Sequence, residues 1–338
     1  MKYTKLGKTG ITVSRLCLGM MSFGNSQEWQ LEIDEARPLV EMALDAGINF
    51  FDTANVYSRG RSEEITGELL KDVRDDVVIA TKIRFAMGEG QNDKGLNRYH
   101  MAREIENSLR RLNTDFIDLY QIHRWDVSVD PEFLMRSLNQ LIDGGYVLHI
   151  GASSMYTWQL AKLQFTAERL GLEKFATMQN HYNAVYREEE REMIPYCIDQ
   201  GMGIIPWSPL ARGFLSGKYS PEDKEKDRHP RLRSDPYLKA RYFRENDFQV
   251  LEAIKDVAKE KGVTPAQVAL SWVLHKPGIT SPIVGVTKME HLEEAIEAVE
   301  LNLTKEEQNR IEEAYLPHPI IGHSYEPADA MVDLSKNK

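Results

Sequence analysis

Short apolar runs alternate with longer amphipathic segments along most of this chain, and that alternation limits the fold more than any other feature. Eight runs read as strands: residues 15–19, 48–52, 77–81, 116–121, 147–151, 176–179, 203–207 and 282–285. They are rich in β-branched and aromatic residues. Most lack the polar alternation of a half-exposed sheet, so both faces are expected to be buried. Between them, residues 35–46, 62–70, 99–112, 131–142, 156–170 and 188–199 carry apolar side chains at helical spacing. Asp34 reads as the cap of the first of these and Gly47 as its stop.

Eight buried strands with helices between them predict an α/β fold of the (β/α)8 barrel (TIM barrel) type, with long loops at its C-terminal face. A doubly wound sheet is the alternative, but no G-x-G-x-x-G follows any strand. Residues 3–6 and 11–14 flank Lys8-Thr9-Gly10 and read as a hairpin that plugs the N-terminal mouth. A length of 338 residues allows one large domain or two ordinary ones. No linker divides the chain, so a single domain over 1–338 is expected. Residues 216–246 are charged, contain proline and exceed an ordinary connection, which predicts a mobile lid or cofactor clamp. Residues 316–338 read as a tail, with 323–338 expected to be flexible.

Composition removes several function classes. The chain has 42 Lys and Arg against 52 Asp and Glu, a net charge of −10. That balance repels phosphate backbones and anionic lipid, so neither nucleic acid nor a membrane is an expected partner. No run approaches the roughly 20 apolar residues of a membrane span. Residues 1–18 are broken by Lys5, Lys8 and Arg15 and hold no secretion-signal core. Cys17 and Cys197 are the only cysteines, which excludes a disulfide framework and fits a reducing, cytoplasmic setting. Nothing in the sequence sets the oligomeric state.

Polar residues at the C-terminal ends of barrel strands line the active site, because the strand-to-helix loops meet there. Those ends present Asp52, Lys82 and His123, and Tyr57 follows Asp52 by five residues. Reducing a carbonyl requires a hydride at carbon and a proton at oxygen. Tyr57 is the candidate acid. A free phenol, with a pKa of about 10, is a sluggish donor at neutral pH, and a cationic Lys82 would stabilise the tyrosinate it leaves behind. Asp52 would keep Lys82 charged and oriented. His123 would hydrogen-bond the carbonyl oxygen.

The order and content of six segments resemble the aldo-keto reductase superfamily. They are Gly47-Ile48-Asn49-Phe50-Phe51-Asp52-Thr53-Ala54 with Tyr57, Ala80-Thr81-Lys82, and Gln121-Ile122-His123-Arg124-Trp125-Asp126. Then come Gly151-Ala152-Ser153-Ser154, Met178-Gln179-Asn180, and Trp207-Ser208-Pro209-Leu210-Ala211-Arg212-Gly213. The stretches His123–Asp126, Tyr186–Met193 and Pro317–Pro319 look most similar to bacterial and archaeal 1-deoxyxylulose-5-phosphate synthase-like reductases.

The resemblance implies the same four catalytic roles for Asp52, Tyr57, Lys82 and His123, and an NADP molecule extended across the barrel mouth. Gly19 and Met20 would line its nicotinamide end, where Ser153, Ser154 and Gln179 would grip the carboxamide and Trp207 would lie beneath the ring. Ser208, Leu210, Gly213 and Lys218 would follow the pyrophosphate. At the adenosine end Gly285, Thr287 and Glu294 fit the family pattern, whereas His291 stands in place of Gln or Arg and Ala295 in place of Asn. Lys288 is a substitute cation for a 2′-phosphate. NADP(H) is therefore the expected cofactor, with NAD(H) also admitted. Met21, Trp29 and Trp125 would form an apolar wall for a small carbonyl substrate, and Arg124 or Arg212 would meet an anionic group on it.

Two other readings stay open at this stage. Lys82 at a barrel strand end is compatible with a Schiff-base lyase or aldolase. A nicotinamide-binding regulatory subunit with little turnover is compatible with the same segments. A short-chain dehydrogenase is excluded, since none of the 14 tyrosines has a lysine four residues on. A metal hydrolase finds no H-E-x-x-H and no His and Cys cluster.

Overall fold

The computed structural model of the protein describes residues 1–223, 232 and 235–323. Strands β1 (Tyr3–Lys5) and β2 (Thr12–Ser14) form an antiparallel hairpin. Eight parallel strands follow: β3 (Cys17–Gly19), β4 (Phe50–Asp52), β5 (Val78–Ile83), β6 (Ile117–Ile122), β7 (Val147–Ser153), β8 (Thr177–Gln179), β9 (Gly203–Ile204) and β10 (Ile283–Val284). Their spatial order is β10-β3-β4-β5-β6-β7-β8-β9. The curl closes where Trp207 bridges Ile283 and the Ile283 N–H donates to the Pro206 carbonyl at 2.9 Å. This is the expected (β/α)8 barrel. β9 is shorter than the run 203–207 because Pro206 has no N–H to give the ladder.

Helices α1 (Ile33–Asp45), α2 (Arg61–Leu70), α3 (Arg98–Leu112), α4 (Pro131–Asp143), α5 (Thr157–Leu170) and α6 (Met193–Gln200) connect successive strands. Then come α7 (Pro236–Arg241), α8 (Glu245–Lys261), α9 (Pro265–Leu274), α10 (Met289–Glu297) and α11 (Lys305–Glu313). Three expectations change. Asp34 is not the cap of α1. The helix starts at Ile33, because the Glu35 carboxylate reaches back to the Glu32 N–H at 3.3 Å and makes Glu32 the boundary. The segment 188–199 is a 3-10 turn over Glu188–Glu190 followed by α6, broken by non-helical backbone at Glu192 (φ −140°, ψ −45°). The segment 216–246 carries α7 and the start of α8. Part of that segment (224–231, 233 and 234) and the tail 324–338 lie outside the described residues.

Strand side chains alternate between two faces, and this alternation builds the site. Cys17, Phe50, Val78, Ala80, Leu119, Ile205 and Ile283 pack inside the barrel with Leu6 and Val13 of the hairpin. The hairpin therefore seals the N-terminal mouth, as its position in the sequence implied. Its turn sits tightly: a Cβ on Gly7 (φ +57°) would lie 2.7 Å from the Gly203 nitrogen. Phe51, Ile79, Tyr120, Ile150 and Met178 point the other way, into the apolar layer beneath the helices. Two residues past the apolar interior positions stand Asp52, Lys82 and Gln121, so the upper interior is polar. No helix among the described residues is long and apolar enough to cross a membrane.

Neighbouring strands meet at Gly151, where an added Cβ would fall 2.4 Å from Thr177 Oγ1 and 2.9 Å from Gln121 Cγ. Gly151→Ala is expected to lose about 1–3 kcal/mol through overpacking. Equilibrium urea unfolding would read this as a lower midpoint at unchanged slope.

Candidate active site

Lys82 is fully buried, and its ammonium has three N–H donors to place. They reach Asp52 Oδ1 at 2.5 Å, the Thr53 carbonyl at 2.6 Å and Tyr57 Oη at 3.4 Å. Burial pulls the lysine pKa down; the Asp52 carboxylate and then Tyr57 more than offset this, and the net shift is upward. Lys82 is therefore an ammonium at neutral pH. The other oxygen of Asp52 accepts from Gln121 Nε2 at 3.0 Å and Gln179 Nε2 at 2.8 Å. Three donors thus converge on one buried carboxylate, which is the condition under which an ion pair survives away from water.

Tyr57 arrives on the loop between β4 and α2. That loop is pinned behind the site. The Thr53 N–H donates to the Ala80 carbonyl at 2.8 Å, the Asn55 N–H to the Lys82 carbonyl at 3.2 Å, and Asn55 Nδ2 to Glu104 at 3.0 Å. Ser58 and Arg59 then adopt left-handed backbone (φ +46° and +52°), so the chain turns sharply just beyond the tyrosine. Because Tyr57 Oη accepts from Lys82, its own O–H is left to donate elsewhere.

His123 stands beside this pair. Its ring meets Tyr57 edge-on at 5.8 Å and Phe85 edge-on at 4.8 Å. Burial, reinforced by Arg124, Lys82 and Arg84, pushes the imidazole well below its ordinary pKa. It is neutral at pH 7. Its Nδ1 is buried with no partner among the described residues, so no protein acceptor dictates the tautomer. All four predicted catalytic residues are thus gathered at one mouth.

Beside them, Trp207 lies flat on His181 (4.2 Å, 10°), which lies on Tyr186 (4.1 Å, 15°). Trp207 Nε1 donates to Ser154 Oγ at 2.9 Å, and the Ser154 N–H donates to the Gln179 carbonyl at 3.1 Å. Both amide hydrogens of Gln179 are engaged, by Asp52 and by Gln121 Oε1 (3.2 Å), which leaves its Oε1 for a ligand. Ser153 Oγ accepts from Arg124 at 3.4 Å. Gly19 lies level with Asp52 on the neighbouring strand. Met20, by contrast, is fully buried in the core, and its carbonyl accepts from Ser62 Oγ at 2.8 Å and from the Phe23 N–H at 2.9 Å.

After β9, left-handed backbone at Ser208, Ala211, Arg212 and Gly213 makes a tight loop, with the half-buried Leu210 inside it. The Gly213 Cβ position is 3.4 Å from Lys218 Nζ. Gly285 ends β10 and leads through Thr287 and Lys288 into α10, whose first turns carry His291 and Glu294. Burial lowers the His291 pKa, Glu294 opposes that, and Lys218 and Lys288 lower it further. Ala295 is buried and offers no polar atom. A flat indole platform, an uncommitted amide oxygen and a tight backbone loop with Lys218 beside it suit a nicotinamide dinucleotide along this edge.

The expected substrate wall is less uniform. Met21 and Trp29 are half-buried in the loop after β3, whereas Trp125 is core-packed and meets Trp158 edge-on at 6.0 Å. Sequence reasoning missed Gln121 as a partner of Asp52, although it sits two residues before His123 on the inward face of β6. It also missed His181 and Tyr186, whose ordering comes from loops that meet only in the folded state. Among the described residues no group of His, Cys, Asp and Glu is placed to hold a metal ion.

A sequence model described as the aldo/keto reductase family matches residues 15–316. The versiconal hemiacetal acetate reductase of Aspergillus parasiticus is 40% identical over 342 residues, covering 95% of this chain and 98% of the relative. An aldo-keto reductase of Metarhizium robertsii is 40% identical over 352 residues (95% and 93% covered). An aldo-keto reductase of Alternaria alternata is 38% identical over 350 residues (95% and 94%).

Two of the buried histidines, His123 and His181, carry a pH signature. Burial holds His181, like His123, well below the ordinary value, with Arg241 adding to it. Above the unfolded pKa of about 6.5 both states are neutral and contribute no slope. Below it the unfolded chain takes up protons that the native state refuses. Stability should fall by up to about 1.4 kcal/mol per pH unit for each histidine. Urea unfolding between about pH 7.5 and 5.5 measures this, and His123→Asn should flatten the dependence.

Proposed function

This chain belongs to the aldo/keto reductase family, and from that premise we propose that it is an NADP(H)-dependent carbonyl reductase whose proton donor is Tyr57. Family and relatives carry the coarser statement, oxidoreductase chemistry on carbonyl compounds. One observation carries the finer reading: the Lys82 ammonium spends its three donors on Asp52, Thr53 and Tyr57. A tyrosine that accepts from an ammonium can give its proton to a carbonyl oxygen and leave a stabilised tyrosinate. Neutral His123 would donate the second hydrogen bond to that oxygen and fix the face presented. The nicotinamide supplies the hydride when bound.

Trp207, Ser153, Ser154 and Gln179 would hold the nicotinamide end, and the loop from Ser208 to Lys218 the pyrophosphate. NADP(H) is favoured because Lys288, at the N-terminal boundary of α10 and three residues before His291, offers a cation for a 2′-phosphate. NAD(H) is the second cofactor in this proposal. A place near the bacterial and archaeal 1-deoxyxylulose-5-phosphate synthase-like branch rests on the stretches His123–Asp126 and Tyr186–Met193 and belongs to it too. The Schiff-base alternative needs a neutral, nucleophilic amine at Lys82, and the buried Asp52 works against that.

The test follows absorbance of reduced nicotinamide with NADPH and NADH, for wild type and Tyr57→Phe. Suitable substrates are para-nitrobenzaldehyde, methylglyoxal, pyridoxal and a ketose phosphate. Turnover should fall roughly 100-fold or more in the variant while cofactor binding persists. Cofactor binding without turnover of any carbonyl would move the weight to a regulatory subunit.

A further inference from the structure

Three arginines reach the barrel mouth around Trp207, and they differ in what they are bonded to. Arg212 is spent: its Nε lies 2.5 Å from Asp235 Oδ2. Arg124, next to His123, donates Nη1 to the His123 carbonyl at 2.6 Å and to Ser153 Oγ at 3.4 Å, and its Nε is buried with no partner. Arg241, at the end of α7, makes no hydrogen bond or ion pair among the described residues. Its guanidinium lies over Trp207 at 5.5 Å and Tyr237 at 4.9 Å. Arg124 lies over the same indole at 5.9 Å.

Two half-buried cations sharing one aromatic ring, without a carboxylate, repel each other. Burial first, and then Arg241, holds the Arg124 pKa down to about 9, which an anion between them would reverse. Asp235, the nearest acid felt by Arg241, is already taken by Arg212. The surrounding parts are also those of a substrate chamber. Tyr57 acts electrostatically on Arg124, and Gly322, in the strap of chain that follows α11 (residues 315–323), has its Cβ position 3.8 Å from Arg124 Nη2.

We propose that Arg124 and Arg241 form an anion site at the mouth of the barrel, and that the natural substrate is a carbonyl compound bearing a carboxylate or phosphate. This rests on the carbonyl-reductase reading and names the substrate class of that site. The planar, five-donor guanidinium suits either anion, and the two arginines come from different elements, the loop after β6 and the end of α7. Arg212, the other arginine considered from sequence, takes no part.

The experiment compares ortho-, meta- and para-formylbenzoate, each against its own methyl ester, with wild type, Arg241→Met and Arg241→Lys. The wild type should favour at least one acid over its ester in kcat/KM. Arg241→Met should lower that ratio roughly 10- to 100-fold, the range of a charge-assisted hydrogen bond, and Arg241→Lys should restore part of it. A wild type indifferent to the acid, or a ratio untouched in Arg241→Met, overturns the proposal. NADPH Kd measured in parallel separates the other source of the anion. If Kd weakens by that factor while the ratio stays, the arginines hold a cofactor phosphate and the substrate assignment is wrong. Should no aldehyde turn over, the reductase reading fails separately. Tryptophan fluorescence titrated with formylbenzoate then decides: quenching lost in Arg241→Met upholds the anion site, and no quenching in wild type overturns it.

Discussion

A lysine and an aspartate sealed inside the barrel, 2.5 Å apart, set the terms for the rest of the structure. Two charges out of water are tolerated only if their remaining bonding capacity is filled, because removing one partner of such a pair costs about 3–5 kcal/mol. That requirement accounts for the residues around them. Gln121 and Gln179 complete the carboxylate from β6 and β8, and Thr53 and Tyr57 complete the ammonium from the loop after β4. The tyrosine is thereby placed by the demands of a buried charge, and its proton is left facing outward. The weakest of the three lysine contacts, 3.4 Å to Tyr57, is the one that a reaction can tighten.

A second organising element is the stack of Trp207, His181 and Tyr186. It touches parts of the chain far apart in sequence. His181 Nε2 meets Tyr242 Oη, just past α7, at 2.5 Å. Tyr186 Oη accepts from the Ile321 N–H of the C-terminal strap at 3.1 Å. The strap is tied further down by His318, whose N–H reaches Glu188 at 2.7 Å and whose Nε2 reaches Asp247 at 2.8 Å. The aromatic platform, the segment after β9 and the tail thus share one set of contacts. Movement of α7 would be felt at the indole. His181 is held neutral in the middle of the stack by burial first, and then by Arg241 and Arg212, which a charged imidazole would face.

Much of the fold is legible in the residues because its periodicities are local. Each apolar run marks a strand, and strand-to-helix loops meet at one mouth, so Asp52 and Lys82 could be assigned to that mouth from their places at the ends of the runs. The hairpin was legible for the same reason. Errors fell where particular side-chain bonds, some local and some distant, override the simple pattern. Asp34 has the chemistry of a cap, but Glu35 reaching back to Glu32 moved the start of α1. Residues 188–199 have a helical pattern. Three consecutive glutamates there are drawn to Tyr182, Arg187, Tyr315 and the strap, and the helix breaks into two pieces.

The sequence by itself determined the architecture, the level at which the polar residues enter the barrel and the identity of the four groups that meet at its mouth. It did so because strand ends and the loops that follow them gather at one mouth of a barrel, whatever the later contacts. Only the tertiary structure decided who satisfies whom. The three donors of Lys82, the commitment of Gln179 to Asp52, the burial of Met20 and Trp125, and the separation of a spent Arg212 from an unpaired Arg241 all depend on contacts between elements tens to hundreds of residues apart. Hydrogen bonds and desolvation are settled by which groups arrive together in space, and no local pattern encodes that.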